Sequence, residues 1–205
     1  MPTVLESAGA IFGSRLELAQ RYAELLTTTG MEWGLIGPRE ADIVWPRHLL
    51  NSAGLAGLIA PDRRVADIGS GAGLPGIPLA LARPDLALEL VEPMQRRIDF
   101  LALVVAELGL EKQVRLVRAR AEDYGGRPDV VVCRALAPVA VLVGWLGRLV
   151  PPAELLALKG QRAEMEVAAA KEALTRAGLV ASVQSMTIGD SVVGRAVVVT
   201  AAPRR

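Results

Sequence analysis

Asp67-Ile-Gly69-Ser-Gly71-Ala-Gly73-Leu-Pro75-Gly76 places a carboxylate two positions ahead of three alternating glycines. Lacking Cβ atoms, such glycines permit a tight turn and let a ligand approach the backbone itself. Pro75 suits the first turn of a helix, where a missing N–H forfeits no hydrogen bond. The loop therefore joins a strand to a helix, and in an open α/β sheet it lies at the carboxyl end of the strand, where ligands bind. Gly71-Ala-Gly73-Leu-Pro-Gly76 also satisfies the dinucleotide fingerprint, with Glu92 as the acidic residue about 20 positions further on. On its own the loop implies a nucleotide-bearing cofactor and leaves NAD and S-adenosylmethionine both open. No Gly-Lys-Ser/Thr follows, which excludes a phosphate-cradling Walker loop.

Charge separates the two cofactors. Asp67 at the strand end can face the ammonium and sulfonium of S-adenosylmethionine, whereas it would repel a pyrophosphate. Glu92 ends the next strand-like run, where a carboxylate can accept hydrogen bonds from both ribose hydroxyls. Ala121-Glu122-Asp123 follows the third run, where a backbone N–H and a carboxylate can read an adenine edge. Each acid taken singly is also explained as a helix cap or a solvated residue. Acids at three successive strand ends point to a class I methyltransferase.

The elements that must position these groups are legible as hydrophobic patterns. Residues 1–62 read as a helical extension. Leu16, Leu18, Ala19, Tyr22, Ala23, Leu25 and Leu26 recur at helical spacing until Thr27-Thr-Thr-Gly30 ends the run, and a second helical stretch spans Pro46 to Ile59. Residues 63–205 read as a Rossmann-like body in the same single domain. Apolar runs at Val65–Ile68, Leu86–Val91, Val114–Ala119, Asp129–Cys133 and Ala153–Leu158 alternate with helical patterns at Pro75–Ala82, Met94–Leu108, Pro138–Leu149 and Gln161–Ala177. That alternation predicts a mostly parallel sheet covered by helices on both faces. Ser182–Ile188 and Val192–Ala201, separated by Gly189-Asp190-Ser191, predict a terminal antiparallel hairpin.

Composition bounds the rest. With 205 residues and just over half of them apolar, the chain can bury a substantial core. The formal net charge is only +1, so contact with nucleic acid has to come from a local patch. Cys133 is the single cysteine, which excludes an internal disulfide and a cysteine-based metal cage; no metal is expected. Met1-Pro-Thr-Val-Leu-Glu-Ser lacks the features of a signal peptide, and no run approaches the ~18 apolar residues of a membrane span. The expectation is a soluble cytoplasmic protein.

The string Val65-Ala-Asp-Ile-Gly-Ser-Gly-Ala-Gly-Leu-Pro-Gly-Ile-Pro-Leu79-Ala80 resembles the cofactor loop of the bacterial guanine-N7 methyltransferases of small-subunit ribosomal RNA, the glucose-inhibited division protein B family. Arg47-His48-Leu-Leu-Asn-Ser52, Cys133-Arg134-Ala135 and Ala157-Leu-Lys159-Gly160 agree with it in order and spacing. Asn51 and Cys133 depart, since the family usually carries aspartate and serine there. The resemblance implies that Gly69, Leu74, Ala121, Glu122 and Arg134 contact S-adenosylmethionine. Asp67 and Glu92 join them on the charge argument, and Gly71 and Gly73 as the bare floor of the loop. It further implies methylation of guanine N7 in the 530 loop of 16S rRNA, free or within the small ribosomal subunit, by a monomeric enzyme.

Guanine N7 offers a lone pair and holds no proton, so direct in-line transfer requires no general base. Positioning must then supply most of the catalysis. Arg134 and His48 are the candidates for a catalytic role, and Arg47 and Lys159 for RNA contact. Arg134 can hold the methionine carboxylate, the guanine or a phosphate. His48 is equally explained as a packed histidine at a helix start, and Lys159 as a solvated lysine. Arg96, Arg97, Arg115, Arg118 and Arg120 form either a basic rim or a solvated surface. Met94, Trp33 and Trp145 read as packing residues, and Cys133 as a small buried apolar one. Three rival functions remain: a class I methyltransferase of a small molecule or protein, an NAD-dependent oxidoreductase, and a non-catalytic RNA-binding protein.

Overall fold

The structure, a computed structural model, describes residues 3–149 and 153–203; Met1 and Pro2 of the opening segment lie outside it. Seven strands form one sheet: β1 (Arg64–Ile68), β2 (Ala87–Val91), β3 (Val114–Val117), β4 (Val130–Arg134), β5 (Glu154–Lys159), β6 (Leu179–Ile188) and β7 (Ser191–Ala201). Their order is β3-β2-β1-β4-β5-β7-β6, with the first five parallel and β7 antiparallel to both β5 and β6. This is the mostly parallel, Rossmann-like sheet with a terminal antiparallel hairpin expected from the sequence. It changes direction between β1 and β4, which places a crevice beyond their carboxyl ends.

The central strands are near-continuous apolar runs because both faces of the sheet are buried. Along β1, β4 and β5 successive residues divide between two cores. Val65, Val132, Leu156 and Leu158 join one, and Ala66, Ile68, Val131, Cys133, Leu155 and Ala157 join the other. The first core takes α1 (Val4–Phe12), α2 (Leu16–Leu25), α4 (Gly76–Ala82) and α5 (Gln95–Glu107). It also takes the segment from Val44 to Leu58, whose middle is the short α3 (Asn51–Ala53). The second takes α6 (Val139–Leu146), α7 (Ala163–Ala169) and α8 (Lys171–Ala177). No helix among the described residues is long and apolar enough to cross a membrane.

Four expectations from sequence are corrected. The helical run does not stop at Thr27: it widens into a π-helical turn over Leu26–Gly30 and continues to Glu32. Thr27 Oγ1 donates to the Ala23 carbonyl at 2.9 Å and Thr28 Oγ1 to that of Glu24 at 2.7 Å, hydroxyl bonds of the kind that bend a helix without ending it. Gln161–Ala177 is two helices rather than one, meeting at the fully buried Ala170, and the bend keeps Ala163, Ala170 and Leu174 all in the core. The Pro46–Ile59 stretch is helical only to Leu58, with Ile59 extended, and it is irregular. It is π-helical over Val44–Leu50 and 3₁₀ over Gly54–Leu58, and Pro46 has no N–H to give to a regular ladder. Met94, expected to pack, is 52% exposed at the mouth of β2.

Candidate functional site

Asp67 is the penultimate residue of β1, with none of its surface exposed. Its Oδ2 accepts the Gly76 N–H at 2.9 Å, and the Ser70 hydroxyl donates to its carbonyl at 2.8 Å. Its Oδ1 is buried without a hydrogen-bond partner among the described residues. Burial raises the carboxyl to about 7, against the pull of the Gly76 N–H. A buried acceptor with nothing to accept is costly, and it marks where a donor or cation belongs.

Above it runs the glycine turn, with Gly69, Gly71 and Gly73 all at positive φ (73°, 60° and 99°). They differ in what a side chain would meet. A Cβ on Gly73 would stand 2.7 Å from Ile77 and 3.0 Å from the Tyr22 hydroxyl, inside the core. On Gly69 it would strike Leu136 at 2.6 Å, whereas on Gly71 it would find only the Gly69 carbonyl at 3.9 Å. Gly71 thus faces open space and forms the bare floor of the turn. The Leu74–Pro75 peptide is cis, and Leu74 is buried against the first core.

Glu92 closes the turn from the end of β2. Only 1% exposed, it accepts the Gly71 N–H at 3.0 Å through Oε2 and the Met94 N–H at 3.0 Å through Oε1, with Arg97 Nη1 3.4 Å from Oε2. Oε2 is thus taken by two donors, while Oε1 keeps a second lone pair for an incoming hydroxyl. Beyond β3, Ala121 and Glu122 lie on a loop held by Arg148, which donates to the carbonyls of Ala121 (3.4 Å), Glu122 and Tyr124 (2.7 Å).

Arg134 ends β4. The parallel register sets Asp67 beside Val132, and Arg134 lies two residues further on the same face. The half-buried guanidinium donates to His48 Nδ1 and, at 3.4 Å, to the Arg47 carbonyl; burial holds it below its ordinary pKa. It takes part in none of the ion pairs among the described residues. The next residue, Ala135, has φ 49°, a strained conformation for a residue with a Cβ. A cavity of about 650 Å³ opens beside this loop, walled by Arg47, Asn51, Arg134, Leu136, Pro138 and Lys159 among others. That volume is in the range of small-ligand pockets.

The remaining candidates divide. Arg47 is exposed on the cavity wall. His48 is 1% exposed and sits behind that wall. Lys159 is neither solvated nor free: its side chain is 9% exposed, 2.7 Å from Glu166 and bonded to the Ala137 carbonyl at 2.6 Å. Asn51, where the resembling family carries aspartate, donates to the Val193 carbonyl at 2.9 Å, a bond a carboxylate could not make. Cys133 is buried, its thiol pushed up to about 12. Arg115 pairs with Glu89 at 3.3 Å while staying largely exposed, and Arg118 Nε bonds the Pro93 carbonyl at 3.3 Å.

Sequence reasoning missed four supporting residues: Tyr22, Glu40, Leu136 and Arg148. Tyr22 donates to the Ala72 carbonyl at 2.8 Å and ties the helical extension to the glycine turn. Its signal was a hydroxyl within an apolar stripe, since a buried tyrosine needs a partner. Glu40 Oε1 lies 3.3 Å from His48 Nε2, and Leu136 and Arg148 act across longer separations that no local pattern encodes.

Comparison with known proteins gives the family. The family model described as rRNA small subunit methyltransferase G matches residues 15–192. A ribosomal RNA small subunit methyltransferase G of Mycobacterium sp. (strain JLS) is 55% identical over 177 residues, 83% of this chain and 78% of that protein. The protein of the same name from Kineococcus radiotolerans is 50% identical over 188 residues, 90% and 74% respectively. Among solved structures, magnesium protoporphyrin IX methyltransferase from Synechocystis PCC 6803 with bound SAM superposes with a TM-score of 0.60 over 90% of this chain and 97% of that one. At 14% identity it is similar in fold alone. Matched along most of its length by both the family model and its relatives, the chain belongs to the rRNA small subunit methyltransferase G family.

Proposed function

We propose that the protein binds S-adenosylmethionine at the mouth of β1 and methylates guanine N7 in 16S ribosomal RNA. The observation that carries the reading is the unpartnered Oδ1 of Asp67, buried beneath a glycine floor. That acceptor suits the cofactor's ammonium and repels a dinucleotide's pyrophosphate. Glu92 would take the ribose hydroxyls, and the Ala121–Glu122 segment the adenine. When bound, S-adenosylmethionine supplies an electrophilic methyl group, which N7 takes with its own lone pair while the positive charge passes from sulfur to the purine.

No residue has to remove a proton, because N7 bears none. The protein's part is orientation, and well-aligned reactants recover about 7–11 kcal/mol of a barrier. The cavity lined by Arg47, Asn51, Arg134 and Leu136 is the place for the purine. N7 is inaccessible in A-form duplex, so the target enters from a loop or splayed strand. Arg47, exposed on the wall, supplies a cation for a flanking phosphate. Lys159, held by Glu166, shapes the cavity instead.

The test is incubation with labelled cofactor and unmethylated small subunits, followed by nucleoside analysis. Label recovered as 7-methylguanosine is expected. Label entering only protein, small molecules or a different nucleoside would refute the assignment, and tight calorimetric binding of NADH without S-adenosylmethionine binding would refute the cofactor.

A further inference from the structure

His48 is the one histidine of the chain, and the mechanism above leaves it idle. Its ring is almost wholly buried, while the residues around it in sequence, Arg47 and Asn51, line the cavity. It therefore cannot meet a purine there directly. What it does meet is Arg134: Nδ1 receives a hydrogen bond from Nη2 of that guanidinium. A nitrogen that accepts carries no proton, so the ring proton sits on Nε2, which faces Glu40 Oε1 at 3.3 Å without hydrogen-bond alignment. Burial and the nearby Arg134 lower the imidazole to about 4, which keeps it neutral in ordinary buffers.

A neutral acceptor and an acidic one would do different things here. A carboxylate in place of the imidazole would neutralise Arg134 and occupy its donors. The imidazole takes one N–H and leaves the charge intact. Arg134 lies on the same sheet face as Asp67, one strand over and two residues on, and each lies within the other's electrostatic reach. An α-amino acid carries an ammonium and a carboxylate on one carbon. The unpartnered Asp67 oxygen accounts for the first, and a nearby cation free of any ion pair accounts for the second.

We propose that His48 is a positioning residue whose uncharged ring holds Arg134 against the carboxylate of the cofactor's methionine moiety. The inference rests on the assignment of this site to S-adenosylmethionine. Two nucleosides separate it from that assignment: S-adenosylhomocysteine, which retains the amino-acid group, and 5′-methylthioadenosine, which lacks it.

Calorimetric titration of His48→Leu is expected to show about a tenfold loss for S-adenosylhomocysteine, the scale of a hydrogen bond to a charged group. The methylthioadenosine affinity should not move. His48→Gln, which keeps an acceptor, should restore most of the loss, and His48→Glu should not. Arg134→Gln should reproduce the selective loss, and adding His48→Leu to it should cost nothing further. Equal losses for both nucleosides would reduce His48 to a packing role and overturn the proposal. Unchanged affinities with a raised KM for RNA would hand Arg134 to the substrate and overturn it as well. Should the unaltered protein bind neither nucleoside, the cofactor assignment itself falls, and this inference with it.

Discussion

Asp67 has no surface in contact with water, and that burial moves its carboxyl from 3.8 to about 7. Under the proposed assignment the cofactor ammonium binds the ionised form only, so below pH 7 a proton must leave before the ligand can settle. Affinity should then fall about tenfold for each pH unit below 7 and level off above it. Titrations at pH 6 and pH 8, in buffers of different ionisation enthalpy, would show proton release at the lower value alone. The same shift has a consequence for stability. Because the folded pKa lies above the unfolded one, this group's contribution is fully present below about pH 4, is lost as pH rises towards 7, and stays lost above. Replacement by a neutral isostere removes that penalty. Asp67→Asn should therefore unfold at a higher temperature than the parent at pH 8, by roughly 1–3 kcal/mol in stability, while losing the cofactor. An unchanged or lower melting temperature would count against a buried charge at this position.

The glycine turn is one element in which equivalent residues have different duties. Gly71 faces open space, and aspartate is among the few residues that tolerate its φ of 60°. Gly71→Asp should fold with a melting temperature close to the parent's and fail to bind S-adenosylmethionine. Gly73→Ala places its methyl 2.7 Å from Ile77 at φ 99°, which overpacks the core and should cost about 1–3 kcal/mol. Chemical denaturation and cofactor titration of the two variants should give opposite patterns; matching patterns would mean that the floor of the turn is not a ligand surface. The alternating glycines announced this turn in the sequence, since little else permits such a backbone. Which of them faces open space was hidden, because Ile77, Tyr22 and Leu101 reach Gly73 only through packing. Elements with strong period were likewise legible: all five parallel strands and the terminal hairpin lie within a few residues of their expected positions. The irregular ones were not. A π-turn at Leu26–Gly30 and a bend at Ala170 leave no apolar period of their own, and both are settled by what packs against them.

At the scale of the whole molecule, the helical extension and the sheet share one core. Phe12, Tyr22 and Leu49 are buried in the same cluster as Leu79, Leu88 and Val132. Deleting residues 1–62 would bare that sheet face and remove Tyr22 from the Ala72 carbonyl and His48 from Arg134. The remaining fragment should be insoluble or molten. The 205-residue chain should melt in one calorimetric transition whose van't Hoff and calorimetric enthalpies agree. Two resolved transitions, or a soluble and cooperatively folded fragment, would show that the extension is a domain of its own.

By itself the sequence determined the succession of strands and helices along the chain, the glycine turn, and the acids near the ends of β1 and β2. Each of these depends on residues close together in the chain, where backbone conformation and hydrophobic period act. Tertiary structure alone decided that Asp67 retains an unpartnered oxygen, that His48 meets Arg134 instead of the cavity, and that Lys159 is spent on Glu166. Burial and ion pairing are properties of groups brought together from distant positions, and a carboxylate or an imidazole has the same chemistry on paper until its neighbours are known.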